Sequence, residues 1–362
     1  MGILQRELDK IFNAHGNVSA NDAKRVSIGT FHLRKKNLSH MFEQLRSGTL
    51  VRCEDGKLVN ERPFKLKSPR NLKMKHVHAL INDWLARNLS VSYVQNMLSL
   101  LRIFCVWIGK AGMIGPTEVM IADPRYHRRQ LAAVRDKTWE GCGVDVEKVL
   151  ADMSQKYERV AMSSELQLTF SLRMKEAALL QPWLADQTTY LDISRGTKGG
   201  RSRTHNITTD KEREVLERAK KLIPERNECL IPRNKTFVQW KNHVYYVLAK
   251  KYGISIKVCG TSTHGLRAQG LNYCFTKITG KKSPICGGQP GDVEPAMDRF
   301  ARRQVAETAG HRRSAVASAY LGPVLRRKKK EATPADNSTT PESPEAMANA
   351  DSQAKDTSGT DE

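Results

Sequence analysis

The chain has 362 residues, enough for two domains with separate cores, and carries 60 Lys and Arg against 38 Asp and Glu, a formal charge of +22. Charge of that size favours a polyanionic partner, nucleic acid ahead of an anionic membrane. No apolar run approaches the length of a spanning helix, so a membrane-embedded fold of that kind is excluded.

In chain order, "MGILQRELDKIFNAHG" carries charges throughout and lacks a secretory core, so residues 1–20 are expected to form a helix or an arm. "GTFHLRKKNLSHMFEQLRSG" places Phe31, Leu38, Met41, Phe42 and Leu45 at helical spacing among basic residues. After the basic segment "RPFKLKSPRNLKMKH" come two more amphipathic stretches. One puts Val77, Leu80, Ile81, Trp84 and Leu85 on one face; the other does the same with Val94, Met97, Leu98, Leu101, Phe104 and Ile108. Residues 21–112 therefore read as a small cationic helical domain. "GKAGMIGPTEVMIADPRY" is rich in glycine and proline and marks a boundary, with a second domain over residues 120–326.

The second domain opens on "VDVEKVLADMSQKYERVA", a helix, followed by "LQLTFSLRMKEAALLQPW", read as one amphipathic helix holding Arg173. "TYLDISRGTKGGRSRTHNI" alternates and breaks at Gly196–Gly200, a β-hairpin with Lys198 at its turn. "NKTFVQWKNHVYYVLAKKYG" and "HGLRAQGLNYCFTKITG" return to helix. "PAMDRFARRQVAETAG" has a proline start and a glycine stop. Gly310 should end that helix, Ser314 should cap the next, and Tyr320 should fall late in it. From Glu331 to Glu362 there are eight acids and one lysine, without aromatics, and this tail is expected to be disordered. The fold class is thus mainly α with a small β-sheet. Seven cysteines at irregular spacing, without a C-x-x-C pair, read as reduced thiols of a cytosolic protein rather than a zinc site.

Six residues carry the chemical interest. His264 and Arg267 lie at i and i+3, on one helix face, with Ser262 or Thr263 as cap. Arg173 has Glu176 three residues on, able to orient its guanidinium. Lys198 sits on a glycine-rich turn, free to reach a ligand. His311 follows Gly310 in a tight turn, and Tyr320 comes nine residues later. Each alone has a plain structural explanation as a surface charge or a packed aromatic.

Taken in this order, the series resembles the tyrosine recombinases, the phage integrase family, and within it the integrases of integrative elements. "FSLRMKEAALLQP", "TKGGRSR", "HGLR" and "AGHRRSAVASAYLG" resemble that family's four catalytic segments. The resemblance covers most of the chain and implies a helical SAM-like core-binding domain followed by a DNA breaking-rejoining catalytic domain. It implies Tyr320 as nucleophile, Arg173 and Arg267 neutralising charge on the scissile phosphate, His264 and His311 donating hydrogen bonds to that phosphate or helping to deprotonate the phenol, and Lys198 as general acid to the leaving oxygen. No metal or other cofactor is implied. The implied partner is double-stranded DNA at paired attachment sites, bound by a homotetramer, with an accessory directionality factor and a place at the bacterial nucleoid. Two features depart from the family: Ala309 stands where leucine is usual, and Gly280–Pro295 forms a long loop. A type IB topoisomerase uses similar residues on one duplex, and a non-catalytic basic protein would bind DNA without bonding to it. Those are the competing readings.

Overall fold

Apolar stripes at helical spacing converge in the first half of the chain. The computed structural model describes residues 2–19, 24–53 and 55–325. Helix α1 (Ile3–His15) buries Leu4, Leu8, Ile11 and Phe12 against α2 (Ile28–Ser47), whose cap is Ser27. A short antiparallel hairpin, β1 (Leu50–Arg52) and β2 (Leu58–Asn60), follows with Val51 opposite Val59. Then come α3 (Met74–Ala86) and α4 (Val91–Trp107), the latter capped by Ser90. Trp84, Leu98, Leu101 and Phe104 are fully enclosed in one cluster with apolar residues of α1 and α2, each worth about 1.5–3 kcal/mol of burial. Sequence periodicity does not announce the β1–β2 hairpin. Buried Asp83 fixes it by accepting from the Leu50 amide at 2.8 Å, Gln44 at 2.9 Å and Arg87 at 2.9 Å. The same apolar cluster continues through α5 (Thr117–Met120) to Tyr126, past the glycine–proline break.

The second half contains α6 (Val146–Lys156), α7 (Glu158–Thr169), α8 (Met174–Leu179), α9 (Pro182–Ala185), the hairpin β3 (Tyr190–Ile193) and β4 (Arg203–Asn206), then α10 (Asp210–Leu222) and α11 (Phe237–Tyr246). It closes with α12 (Thr263–Thr279), α13 (Pro295–Thr308) and α14 (Ser318–Leu321). Helix α12 runs through its centre. Leu266 packs with Trp240, Val244 and Met153 on one side, and Leu271 and Phe275 with Val305 and Leu321 on the other. Gly265 lets α12 lie close to its neighbours: a Cβ there would sit 2.0 Å from Thr261 Oγ1 and 2.4 Å from the Lys137 carbonyl. Gly265→Ala is therefore expected to cost about 1–3 kcal/mol, read by urea unfolding, and to disturb His264 and Arg267 on either side.

Three sequence expectations change. The stretch expected as one helix through Arg173 breaks after Thr169. Ser171 adopts φ +50°, and Arg173 becomes the N-cap of α8. Helix α11 ends in a π-helical turn, Val247–Lys251. Ser314 starts a 3-10 turn, Ser314–Ala317, and Tyr320 lies in the single helical turn after it. The acidic tail expected over residues 331–362 lies outside the described residues.

The segment between the halves is fastened at both ends. Gln95 on α4 donates to the carbonyls of Tyr126 at 2.6 Å and His127 at 3.1 Å, and accepts from Arg129 at 2.7 Å. Farther on, the Ala133 amide donates to the Ser318 carbonyl at 2.8 Å, in the turn that carries Tyr320. Arg135 then donates to Gly260 O at 3.2 Å, and Thr261 donates to Lys137 O at 2.6 Å.

Candidate active site

Two arginines share one carbonyl. Arg173 donates one amino group to Ala309 O at 3.0 Å, and Arg267 donates one of its own to the same oxygen at 2.6 Å. The other amino group of Arg267 bonds the Ser171 carbonyl, which the break after α7 leaves without a helical partner. Arg267 is fully buried, and its Nε has no hydrogen-bond partner among the described residues. Arg173 is partly open to solvent at 23%.

Glu176 lies beneath both. Its carboxylate accepts from the Arg173 amide at 2.7 Å and from the Arg173 guanidinium at 2.5 Å, and stands 3.6 Å from Arg267. A third arginine, Arg203 at the start of β4, forks onto it at 2.8 and 2.9 Å. Burial disfavours the charge on Glu176, but the Arg203 fork and the two Arg173 donors override that and hold the carboxyl down to about 2. Three guanidiniums therefore face one carboxylate, and the excess positive charge suits a phosphate.

The aromatic groups lie on the same side. The Tyr320 ring is 5.8 Å from the Arg267 guanidinium and 5.8 Å from the His264 ring. Asn272 holds the Tyr320 carbonyl at 3.2 Å. Ser262 caps α12 and so sets the direction of His264. Gly310, at φ +71°, turns the chain after α13, and the His311 amide closes that turn on Ala306 O at 2.8 Å. His311 lines an open cleft of about 610 Å³ with Gly200, Arg201, Arg303, Glu307 and Arg312. Lys198 is exposed on its turn, which Gly196, Gly199 and Gly200 bend with positive φ, and its charge reaches His311. The structure thus gathers Arg173, Arg267, His264 and Tyr320 around one spot, sets His311 within the electrostatic reach of the arginines, and leaves Lys198 exposed on its own turn.

Both imidazoles titrate below the ordinary histidine value of 6.5. Desolvation is the first cause for each; Arg267 and Arg173 act next on His264, and Arg173 and Arg267 on His311. In the unfolded chain these rings take up protons near 6.5, whereas in the folded chain they do so only at lower pH. Stability is therefore full above 6.5 and falls as the pH drops through that value toward the folded ones. The melting temperature of the DNA-free protein is expected to fall between about pH 7.5 and about pH 5.5. The fall should be smaller in a His264→Asn, His311→Asn double variant, as calorimetry would measure.

Sequence reasoning missed Arg203. The signal was register. Arg203 pairs with Ile193, and His205 with Leu191. Directly opposed residues share a face, and Ile193 and Leu191 are buried. An arginine on that inward face needs a buried carboxylate. His205 follows the same rule, meeting Glu212 at 2.9 Å.

A family model described as Integrase matches residues 133–269, and one described as Phage integrase, N-terminal, matches residues 55–114. Among solved structures, a lambda integrase dimer bound to a COC' core site is similar at a TM-score of 0.55 and 13% identity, covering 90% of this chain and 80% of that one. A lambda integrase tetramer bound to a Holliday junction is similar at 0.54 and 15%, covering 91% and 80%. At such identity the likeness is one of fold. No curated protein matches by sequence.

Proposed function

Because the chain belongs to the phage integrase family of tyrosine recombinases and is a tyrosine-type site-specific recombinase, we propose that Tyr320 is its nucleophile and that the groups gathered around Tyr320 serve the cleavage. The observation that carries this is the placement of the Tyr320 ring against the buried Arg267 guanidinium and the His264 ring, each at 5.8 Å.

A phosphodiester resists attack because its anionic oxygens repel nucleophiles. Arg173 and Arg267, steered by Glu176 and Ala309 O, offset the charge that grows on the non-bridging oxygens. A phenol is a far weaker nucleophile than a phenolate, so its proton must leave as the bond forms. His311 or His264, held neutral by desolvation and then by the nearby guanidiniums, is suited to take it or to hydrogen-bond the phosphate. The Tyr320 oxygen bonds to phosphorus while the phosphorus–O5′ bond breaks. The departing 5′ oxygen takes a proton from Lys198, whose exposed turn allows it to approach. A 3′-phosphotyrosine results, and attack by a 5′-hydroxyl of another strand reverses every step. Exchange between two duplexes requires four such sites. The lambda integrase tetramer on a Holliday junction supports the same assembly for this chain.

The test is trapping. A duplex is selected by the full-length protein from a random-sequence pool and then nicked near the cleavage point, so that the released fragment diffuses away. A recombinase leaves a denaturant-stable protein–DNA adduct. DNA binding with no adduct would leave only a non-catalytic binder.

A further inference from the structure

Arg203 points inward, its guanidinium fully engaged by protein groups. It is 8% exposed; its Nε donates to Thr308 O at 3.0 Å, and its two amino groups occupy both oxygens of Glu176 at 2.8 and 2.9 Å. Resting on the recombinase reading, we propose that Arg203 is a positioning residue for strand cleavage: by saturating Glu176, it keeps the charges of Arg173 and Arg267 available to the scissile phosphate.

The geometry of the carboxylate supports this. Arg173 holds Glu176 with one amino group and spends the other on Ala309 O, while Arg267 stays 3.6 Å away. A carboxylate prefers a two-pronged guanidinium, and here Arg203 supplies it. Without Arg203, each oxygen would lose one of the two donors it now holds, and the carboxylate could take the Arg173 guanidinium in that manner and draw Arg267 inward. Each movement would turn phosphate-binding charge toward a buried anion. Arg203 also joins elements that carry other proposed catalytic groups. It begins the strand that follows the Lys198 turn, and its Thr308 contact lies just before Gly310 and His311. A Cβ at Gly310 would come within 3.0 Å of Arg203 Cδ, so the turn rests directly on this side chain.

A plain structural brace and a charge-saturating residue make different predictions for a second substitution. Arg203→Met in the full-length protein should lower the rate of adduct formation on the nicked duplex by about 100-fold, the scale of losing one oriented donor to an oxyanion, with DNA affinity little changed. Adding Glu176→Gln removes the anion that Arg203 had saturated. That double variant should form adduct at least about tenfold faster than Arg203→Met alone. Melting curves identify any variant that does not fold. If Arg203→Met fails that check, Arg203→Lys with and without Glu176→Gln makes the same comparison, because lysine keeps the charge but only one prong. A double variant no faster than its single parent, or a single variant that cleaves like the wild type, would overturn the proposal. Absence of adduct from the wild type would overturn the recombinase reading, and the role of Arg203 with it.

Discussion

Tyr320→Phe is expected to abolish the covalent adduct, lowering strand cleavage by a factor on the order of a million, the scale seen when a hydrolase loses its nucleophile. Affinity for DNA should stay close to wild type, since protein–DNA affinity generally comes from many phosphate contacts rather than from one phenol. The fold should also persist. The substitution keeps the ring, which packs against the α12–α13 cluster, and the backbone carbonyl held by Asn272. Incubation with the nicked duplex, followed by denaturing electrophoresis, reads adduct, and a gel shift reads binding. Another phenol offers a control. Tyr245 is exposed and meets Thr263 Oγ1 at 3.3 Å, beside the N-terminus of α12. Tyr245→Phe should leave the adduct in place. An adduct from Tyr320→Phe that vanished in Tyr245→Phe would move the nucleophile to the wrong helix and refute the assignment.

Arg267→Ala should damage both folding and chemistry. The side chain is fully enclosed and joins the Ser171 and Ala309 carbonyls, with Glu176 close by. Truncation strips two carbonyls and a buried carboxylate of a donor where water has little access. Removing one partner from such an arrangement costs about 3–5 kcal/mol. It also deletes the guanidinium 5.8 Å from the Tyr320 ring, so cleavage should fall by at least about 100-fold even at temperatures where the variant is folded. Arg267→Lys should recover part of the stability and little of the rate, because one ammonium cannot span two carbonyls. Unfolding curves and single-turnover adduct formation separate the two effects. A variant that melted and cleaved like the wild type would show that Arg267 neither braces the cleft nor serves the phosphate.

What could be read from the sequence follows from which constraints are local. The β3–β4 hairpin, the start of α12 and the stop at Gly310 are written in glycine placement, capping hydroxyls and alternation, all decided within a few residues. The break before Arg173 is not written that way. Apolar spacing continues across Phe170 and Leu172, so the pattern reads as unbroken helix. The break leaves a carbonyl at Ser171 that Arg267 takes up from 96 positions away. The short turn of Tyr320 has a similar origin. Arg302 on α13 donates to the carbonyls of Gly322 at 3.0 Å and Pro323 at 3.1 Å, satisfying the chain end that a longer helix would have paired internally. Arg203 was legible in principle through strand register, although only once the partner strand had been aligned. The β1–β2 hairpin depends on Asp83, a single buried acid on another element, and no local pattern announces it.

The segment leaving the first half is tied to α4 through Gln95 and Arg129, and to the tyrosine turn through the bond from Ala133 to Ser318. Only the few residues after Arg129 separate these two knots, so they contain little slack. A swing of one half against the other that kept both knots would have to be taken up as a shift of Ser318, two residues from the phenol. In mechanical terms, the placement of the first half and the aim of the proposed nucleophile share one short cord.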